Sequence, residues 1–427
     1  MRFRNLCVLG LGYIGLPTAS TFANSGLQVT GVDVNERIVA GLRQGELHIE
    51  EPGLRTLVHA ALTTGNLRIA SQPGPAEAFL IAVPTPVLPD KRADLGAVVS
   101  AAESIVPHLR PGNLVVLEST SPPRTTVDVV APILERSGLH AGADFHLAYS
   151  PERVLPGQIL RELVENARVI GGVDRASAEA GRDLYAAFVR GEIVLTDATT
   201  AEMVKLMENT YRDINIAAAN EFARLAERFG VDVWEAIALA NRHPRVDVLR
   251  PGPGVGGHCI SVDPWFLVES APDLTPLIRQ ARLVNDAQPQ FAVRSVETAL
   301  GGLRGRRLAA LGLAYKPDVD DLRESPAIEV ARLLAEGGAL VSTFEPFAPA
   351  ASVPGCTPAG SLESALSGAE AVVLLVDHRA FVDLDPAKAA QVMPGRVAVD
   401  TRGRWDRRRW TAAGFSLHVL GAGRRDG

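Results

Sequence analysis

A chain of 427 residues is too long for one ordinary hydrophobic core and predicts two or three domains. With 47% hydrophobic and 22% charged residues it has a globular composition, and no apolar run reaches the roughly 18 residues of a membrane span. A net charge of −6 gives no basic footprint for nucleic acid, and three scattered cysteines, Cys7, Cys259 and Cys356, make neither a disulfide framework nor a zinc site. The expected setting is the cytoplasm, with no membrane and no nucleic-acid partner.

The chain opens on a short apolar strand, Leu6 to Leu9, that runs into GLGYIGLP. Gly10, Gly12 and Gly15 stand in G-x-G-x-x-G spacing, a helix follows from Thr18 to Asn24, and Gly26 ends it. A second strand, QVTGVDV (Gln28 to Val34), carries Asp33. The first glycine permits the tight turn, the second lets a pyrophosphate approach backbone, and the third lets helix pack on strand. The helix N-terminus offers partial positive charge to the phosphates. Asp33 would accept from the adenosine ribose and repel a 2′-phosphate, so the expected cofactor is NAD.

The alternation continues through FLIAVPTP (Phe79 to Pro86), LVVLEST (Leu114 to Thr120) and HLAYSPERVLPG (His146 to Gly157). Each is a strand-length apolar run that breaks into a polar loop, and the loops carry Thr85, Thr120, Glu152 and Arg153. Parallel strands put such loops at their carboxyl ends, where a doubly wound sheet binds its ligand. The alternative reading of both threonines is as caps of the helices that follow.

The middle is helical. From Thr199 to Gly230, Val204, Met207, Tyr211, Ile214, Ala218, Phe222 and Leu225 recur at three- and four-residue steps as an apolar face. Lys205, Asn209 and Arg212 project from another face, and Asn209 is a poor mid-helix residue unless its amide has a partner. A second helix, Val233 to Asn241, leads to NRHPRV with His243 and Arg245. Then comes PGPGVGGHCISVDPWF (Pro251 to Phe266), a Gly/Pro-rich loop that brings Cys259 and Asp263 close to a ligand. A helix-rich segment between two α/β units is expected to form a homodimer interface.

The last third repeats the first plan. RRLAALGLAYKP (Arg306 to Pro317) is a strand running into a loop, followed by a helix (Pro326 to Glu336), the strand LVSTFEP, a helix at Leu362 to Leu366 and the strand AVVLLVD (Ala371 to Asp377). A further strand, RVAVD, ends near Arg402. The first turn here lacks a glycine fingerprint and carries Tyr315, Lys316 and Arg323 instead, cations suited to a phosphorylated ligand. The basic stretch after Trp405 reads as a mobile tail. The fold class is therefore α/β, with two Rossmann-like doubly wound parallel sheets joined by a central helical region. The expected domains are residues 1–196, 197–300 and 301–427.

GLGYIGLP, VPTP, ESTSP, SPERVLPG, EMVKLMENTYRDINIAAANE, GPGVGGHC, DPWF and GLAYKP…DDLRESP, in this order, resemble the nucleotide-sugar 6-dehydrogenase family over nearly the whole chain. PERVLPG, NRHPRV and GGHCISVDPWF look most like the branch that oxidises UDP-N-acetyl-D-mannosamine for surface polysaccharides. The resemblance implies that Cys259 is the catalytic nucleophile and Lys205 a proton donor and acceptor. It implies substrate contacts for Asn209, Arg212, Arg153, Val154, His243, Arg245, Gly256, Tyr315, Lys316 and Arg402, and NAD contacts for Tyr13, Ile14, Asp33, Thr85, Thr120 and Arg323. UDP-glucose dehydrogenases carry a second acid four residues after the equivalent of Glu152, where this chain has Pro156. That leaves Glu152 or Asp263 as the base for a hydrolytic step and weakens a UDP-glucose assignment. Arg402 stands where close relatives also have lysine. Other readings are a UDP-N-acetylglucosamine dehydrogenase, a two-electron hydroxyacid-type dehydrogenase that needs no thiol, and a non-catalytic nucleotide-binding regulator.

Overall fold

A computed structural model describes residues 3–423. The chain divides into two compact units, Met1–Glu208 with Trp265–Leu274, and Asn209–Pro264 with Thr275–Gly427. Among the described residues no helix is long and apolar enough to cross a membrane.

The first unit holds β1 (Asn5–Leu9), β2 (Gln28–Val32), β3 (Leu67–Ala70), β4 (Ala78–Ile81), β5 (Leu114–Leu117), β6 (His146–Tyr149), β7 (Arg168–Gly172) and β8 (Ile193–Asp197). They form one sheet in the order β3-β2-β1-β4-β5-β6-β7-β8, parallel except where β6 meets β7. Strands β4 and β5 are buried at every position, which is why AFLI and LVVL read as unbroken apolar runs. The helix after β1 starts at Gly15, earlier than the expected Thr18, and buries Leu16, Ala19, Phe22 and Ala23 in the core of one sheet face. Strand order reverses between β1 and β4, so the loops leaving these two strands flank the crevice of a doubly wound sheet.

The second unit holds β9 (Arg307–Leu311), β10 (Leu340–Phe344), β11 (Cys356–Pro358), β12 (Ala371–Leu374), β13 (Val397–Asp400) and β14 (Ser416–Val419). All pairs are parallel, in the order β11-β10-β9-β12-β13-β14, the same winding as the first six strands of the other sheet. The likeness extends to the first turn. Gly10 and Gly312 both have φ 91°. Their amides donate to Val32 (2.8 Å) and Phe344 (2.9 Å), and an acid after the second strand then accepts from the next amide. That acid is Asp33 for Leu11 (3.0 Å) and Glu345 for Leu313 (2.7 Å).

The helix expected at Thr199 to Gly230 runs from Ala198 to Phe229, starting in the first unit and finishing in the second. Its faces are inverted relative to the apolar pattern. Met207, Tyr211, Phe222 and Leu225 are exposed, while Glu202, Lys205, Asp213 and Asn220 are buried. Each buried acid or amide has partners. Glu202 accepts from Thr126 through both its amide (2.7 Å) and its hydroxyl (2.6 Å). Asp213 pairs with the buried Arg282 and accepts from Asn285 (2.8 Å). Alanines 217, 219, 223 and 226 fill the rest of the buried face, where small side chains allow close packing.

The stretch after Trp405 is folded, contrary to expectation. Arg407–Ala412 is helical, β14 completes the sheet, and Trp410 is buried against Trp405 with ring centroids 4.1 Å apart. The arginines face solvent and the tryptophans supply the core contact. Of the final GRRDG motif, the residues beyond Gly423 lie outside the described residues. Trp410→Ala is expected to cost about 3–5 kcal/mol. A urea unfolding midpoint equal to wild type would show that the segment is not packed as described.

Candidate functional site

In the first unit the glycine turn has three distinct constraints. A Cβ on Gly10 would lie 2.5 Å from the Ala82 carbonyl oxygen, and one on Gly15 would lie 1.8 Å from the Gly10 carbonyl oxygen. A Cβ on Gly12 would meet nothing within 4 Å. Two glycines therefore serve the protein's own packing, and the middle one leaves open backbone beside the helix N-terminus. These residues fit a pyrophosphate. Tyr13 and Ile14 are half-buried at the start of that helix, and Asp33 is half-buried, with its carboxylate accepting from Leu11 and from Asn35 (2.8 Å). The Thr85 hydroxyl donates to the Thr120 carbonyl at 2.6 Å, which ties the loops after β4 and β5 together. Ser119, which the sequence did not single out, adds a second tie to the Val83 carbonyl at 2.7 Å.

The loop after β6 is held at several points. Glu51 accepts from the amides of Gly157 (2.7 Å) and Ile159 (2.8 Å), Arg153 pairs with Glu208 (2.7 Å), and Val154 packs on the sheet core. Glu152 pairs with the buried Arg168 at 2.7 Å. Arg168 also reaches Glu118 at 3.1 Å, and Tyr185 donates to Glu118 at 2.9 Å. None of these three partners stood out in the sequence, since they belong to distant elements, and Glu118 was visible only as an acid at the end of an apolar strand.

In the second unit the loop before Asp263 winds around Cys259, which is exposed. The Cys259 carbonyl accepts from the amides of Val262 (3.0 Å) and Asp263 (2.8 Å). Asp263 is the first residue of a helix, Asp263–Ser270, and not part of the loop as expected, because Pro264 suits a helix's first turn. The Asp263 carboxylate is buried and accepts from the Asn209 side-chain amide. The amide of Gly257 (φ 87°) donates to the Arg323 carbonyl at 3.2 Å, and a Cβ there would lie 2.8 Å from the Tyr315 ring. Gly256 sits against Tyr315 and the Glu324 carbonyl, and Gly252 against the Arg402 guanidinium. Arg402 pairs with Asp377 at 3.0 Å. Arg323 pairs with Asp321 at 2.6 Å, and His258 approaches that carboxylate at 3.6 Å. Lys316 lies 5.8 Å from the Tyr315 ring centroid.

Cys259, Asp263, Asn209, Gly256, Tyr315, Arg323 and Arg402 thus gather within the second unit. The glycine turn, Asp33, Thr85, Thr120, Glu152, Arg153, Val154 and Lys205 belong to the first. Lys205 is buried, whereas Arg212, His243 and Arg245 are exposed, the last two on a turn closed by Asn241 onto Val248.

Residues 4–189 match the NAD binding domain of the UDP-glucose/GDP-mannose dehydrogenase family, residues 199–287 its central domain, and residues 309–407 its UDP binding domain. A UDP-N-acetyl-D-mannosamine dehydrogenase from Methanococcus maripaludis is 47% identical, over 98% of this chain and 97% of its own. The chain belongs to the UDP-glucose/GDP-mannose dehydrogenase family. It is an NAD-dependent nucleotide-sugar dehydrogenase. Within this family, an NDP-N-acetyl-D-galactosaminuronic acid dehydrogenase from Ralstonia solanacearum is 48% identical, over 96% of this chain and 98% of its own. The solved structure of a UDP-D-ManNAc dehydrogenase from Pyrococcus horikoshii aligns with TM-score 0.91 at 40% identity, covering 98% of this chain and 99% of the other.

The different surroundings of Gly12 and Gly15 give a paired prediction. Gly12→Ala keeps the wild-type melting temperature and weakens NAD binding in calorimetry by about tenfold or more, since only the ligand's approach is blocked. Gly15→Ala lowers the melting temperature. Equal NAD affinity for Gly12→Ala and wild type would mean the pyrophosphate lies elsewhere.

Proposed function

We propose that the enzyme oxidises C6 of UDP-N-acetyl-D-mannosamine to the carboxylate, through a covalent adduct on Cys259. What supports the chemistry is the exposed Cys259 on a loop tied to the long helix by the Asn209–Asp263 bond. What supports the sugar is the name carried by relatives that align over nearly the full chain.

Converting a primary alcohol to a carboxylate removes four electrons, and NAD bound at the glycine turn supplies the hydride acceptor twice. Lys205 takes the proton of the C6 hydroxyl as the aldehyde forms. The Cys259 thiolate adds to the aldehyde carbon, and the thiohemiacetal keeps the intermediate from escaping. Its oxidation leaves a thioester. Water adds to the thioester carbon, one proton goes to a carboxylate base, and the C–S bond breaks to return the thiolate. Overall, one water enters and two hydrides and three protons leave. Asn209 gives one amide N–H to Asp263 and keeps a second for the oxyanion. Because Asp263 is fully buried and orients Asn209, whereas Glu152 is only partly buried on the loop after β6, we assign the water-activating role to Glu152. Arg153, Val154, Arg212, His243, Arg245, Gly256, Tyr315, Lys316 and Arg402 hold the nucleotide sugar, and Arg323 contacts NAD. Residues 1–196, 197–300 and 301–427 act as cofactor, central and UDP-sugar segments.

We also read the enzyme as a cytoplasmic homodimer that serves surface polysaccharide synthesis. Met207 at 56%, Tyr211 at 73%, Phe222 at 46% and Leu225 at 51% exposure make an apolar stripe that a second copy would cover. Replacing Tyr211 and Phe222 together by Glu should convert the dimer to monomer in sedimentation velocity. A monomeric wild type would remove the assignment.

NADH yield decides the main reading. UDP-N-acetyl-D-mannosamine should give two NADH per sugar, ahead of the N-acetylgalactosamine, N-acetylglucosamine and glucose nucleotides. Cys259→Ser should release no uronate at a rate near wild type, and Asn209→Ala should lower kcat about 10²–10³-fold. One NADH per sugar, or a fully active Cys259→Ser enzyme, would end the covalent mechanism.

A further inference from the structure

Behind Glu152 lies a buried group of charges that the chemistry above leaves unused. Arg168 on β7 sends Nη2 to Glu152 at 2.7 Å, and Nη1 to both Glu118 and the Ser150 hydroxyl at 3.1 Å. Tyr185, at the end of helix Arg175–Tyr185, donates to the same Glu118 oxygen at 2.9 Å, and the guanidinium lies 4.3 Å from its ring centroid. The other oxygen, Glu118 Oε2, is buried with no hydrogen-bond partner among the described residues. One guanidinium therefore faces two carboxylates, and the side chains of Arg168, Glu118 and Glu152 are 5%, 0% and 9% exposed. With both acids ionised, a net negative charge would be largely withdrawn from water on the Glu118 side, which is costly. A single proton relieves that cost, and Glu118, the more deeply buried of the two acids, is the one burial pushes toward carrying it.

We propose that Glu118, acting through the Arg168 it shares with Glu152, is a positioning residue that sets how tightly Glu152 is held during the hydrolytic step. The proposal rests on the assignment of Glu152 as the hydrolytic base. While Glu118 carries the proton, the charge of Arg168 is opposed by Glu152 alone and the guanidinium holds that carboxylate at 2.7 Å. When Glu118 ionises it competes for the guanidinium and loosens its hold on Glu152, freeing that carboxylate for the water. Burial pushes Glu118 up to about 7, with Arg168 and Tyr185 pulling it down and Glu152 pushing it further up. Thioester hydrolysis accordingly quickens as pH rises through neutrality and levels off above it.

The test uses the full-length enzyme with UDP-N-acetyl-D-mannosamine and NAD. It follows steady-state kcat across neutral pH and the Cys259 thioester by intact mass after rapid quenching. Glu118→Gln fixes the neutral form. Its KM stays within about twofold, kcat falls about tenfold or more, the neutral limb of the profile disappears and thioester accumulates. Tyr185→Phe removes a donor to the ionised acid and moves the limb to higher pH. A Glu118→Gln enzyme with the wild-type limb and kcat overturns the proposal. If that variant does not fold, a Tyr185→Phe limb that stays in place overturns it instead. Glu152→Gln separates the two levels. A slow Glu152→Gln beside an unaffected Glu118→Gln sinks only the positioning role, whereas Glu152→Gln at wild-type kcat removes the base assignment and this proposal with it.

Discussion

The Cys259 loop depends on a chain of buried polar contacts that begins in the long helix. Asp213 pairs with Arg282 and accepts from Asn285, Asn285 accepts from Asn220 at 2.9 Å, and Asn220 accepts from the Gly252 amide at 3.0 Å. Each link is buried, so a missing partner would leave a polar group without water or protein to satisfy it. The chain thereby fixes where the loop starts. Asn209, farther up the same helix, fixes where it ends, through Asp263. A run rich in glycine and proline has little rigidity of its own. Its shape is set from both ends by one helix, and Tyr315 and Arg402 press on its glycines in between.

This use of the helix explains both what the sequence disclosed and what it hid. Periodicity separates an apolar from a polar stripe, but it does not say which of them meets the protein's interior. Asn209 was noticeable because an amide is out of place mid-helix without a partner, and Asp263 is that partner. Asp213 and Asn220 carry no comparable mark in the sequence. Their burial follows from Arg282 and Asn285, which lie 69 and 65 positions away from them respectively and carry no local signal.

The two sheets were more legible, because a parallel strand covered on both faces has to be an uninterrupted apolar run. The glycine fingerprint and Asp33 were legible for a similar reason, since backbone packing demands them at fixed spacing. The Arg168 cluster was not, as it joins the ends of separate strands, with Glu118 and Arg168 50 positions apart. The stretch after Trp405 was misread because its arginines outnumber the two tryptophans that decide its packing.

The duplicated first turn is finished differently in the two sheets. In the second sheet, Glu345 accepts from two successive amides, Leu313 and Ala314, and from the buried His378. Those amides are committed to an internal acid, so under the proposed function a diphosphate at this turn would be met by the cations Lys316 and Arg402. In the first sheet the backbone at Gly12 is left open instead. On the proposed function, backbone dipoles would hold the dinucleotide and side-chain charges the sugar nucleotide, so raising ionic strength should loosen the sugar nucleotide well before the dinucleotide.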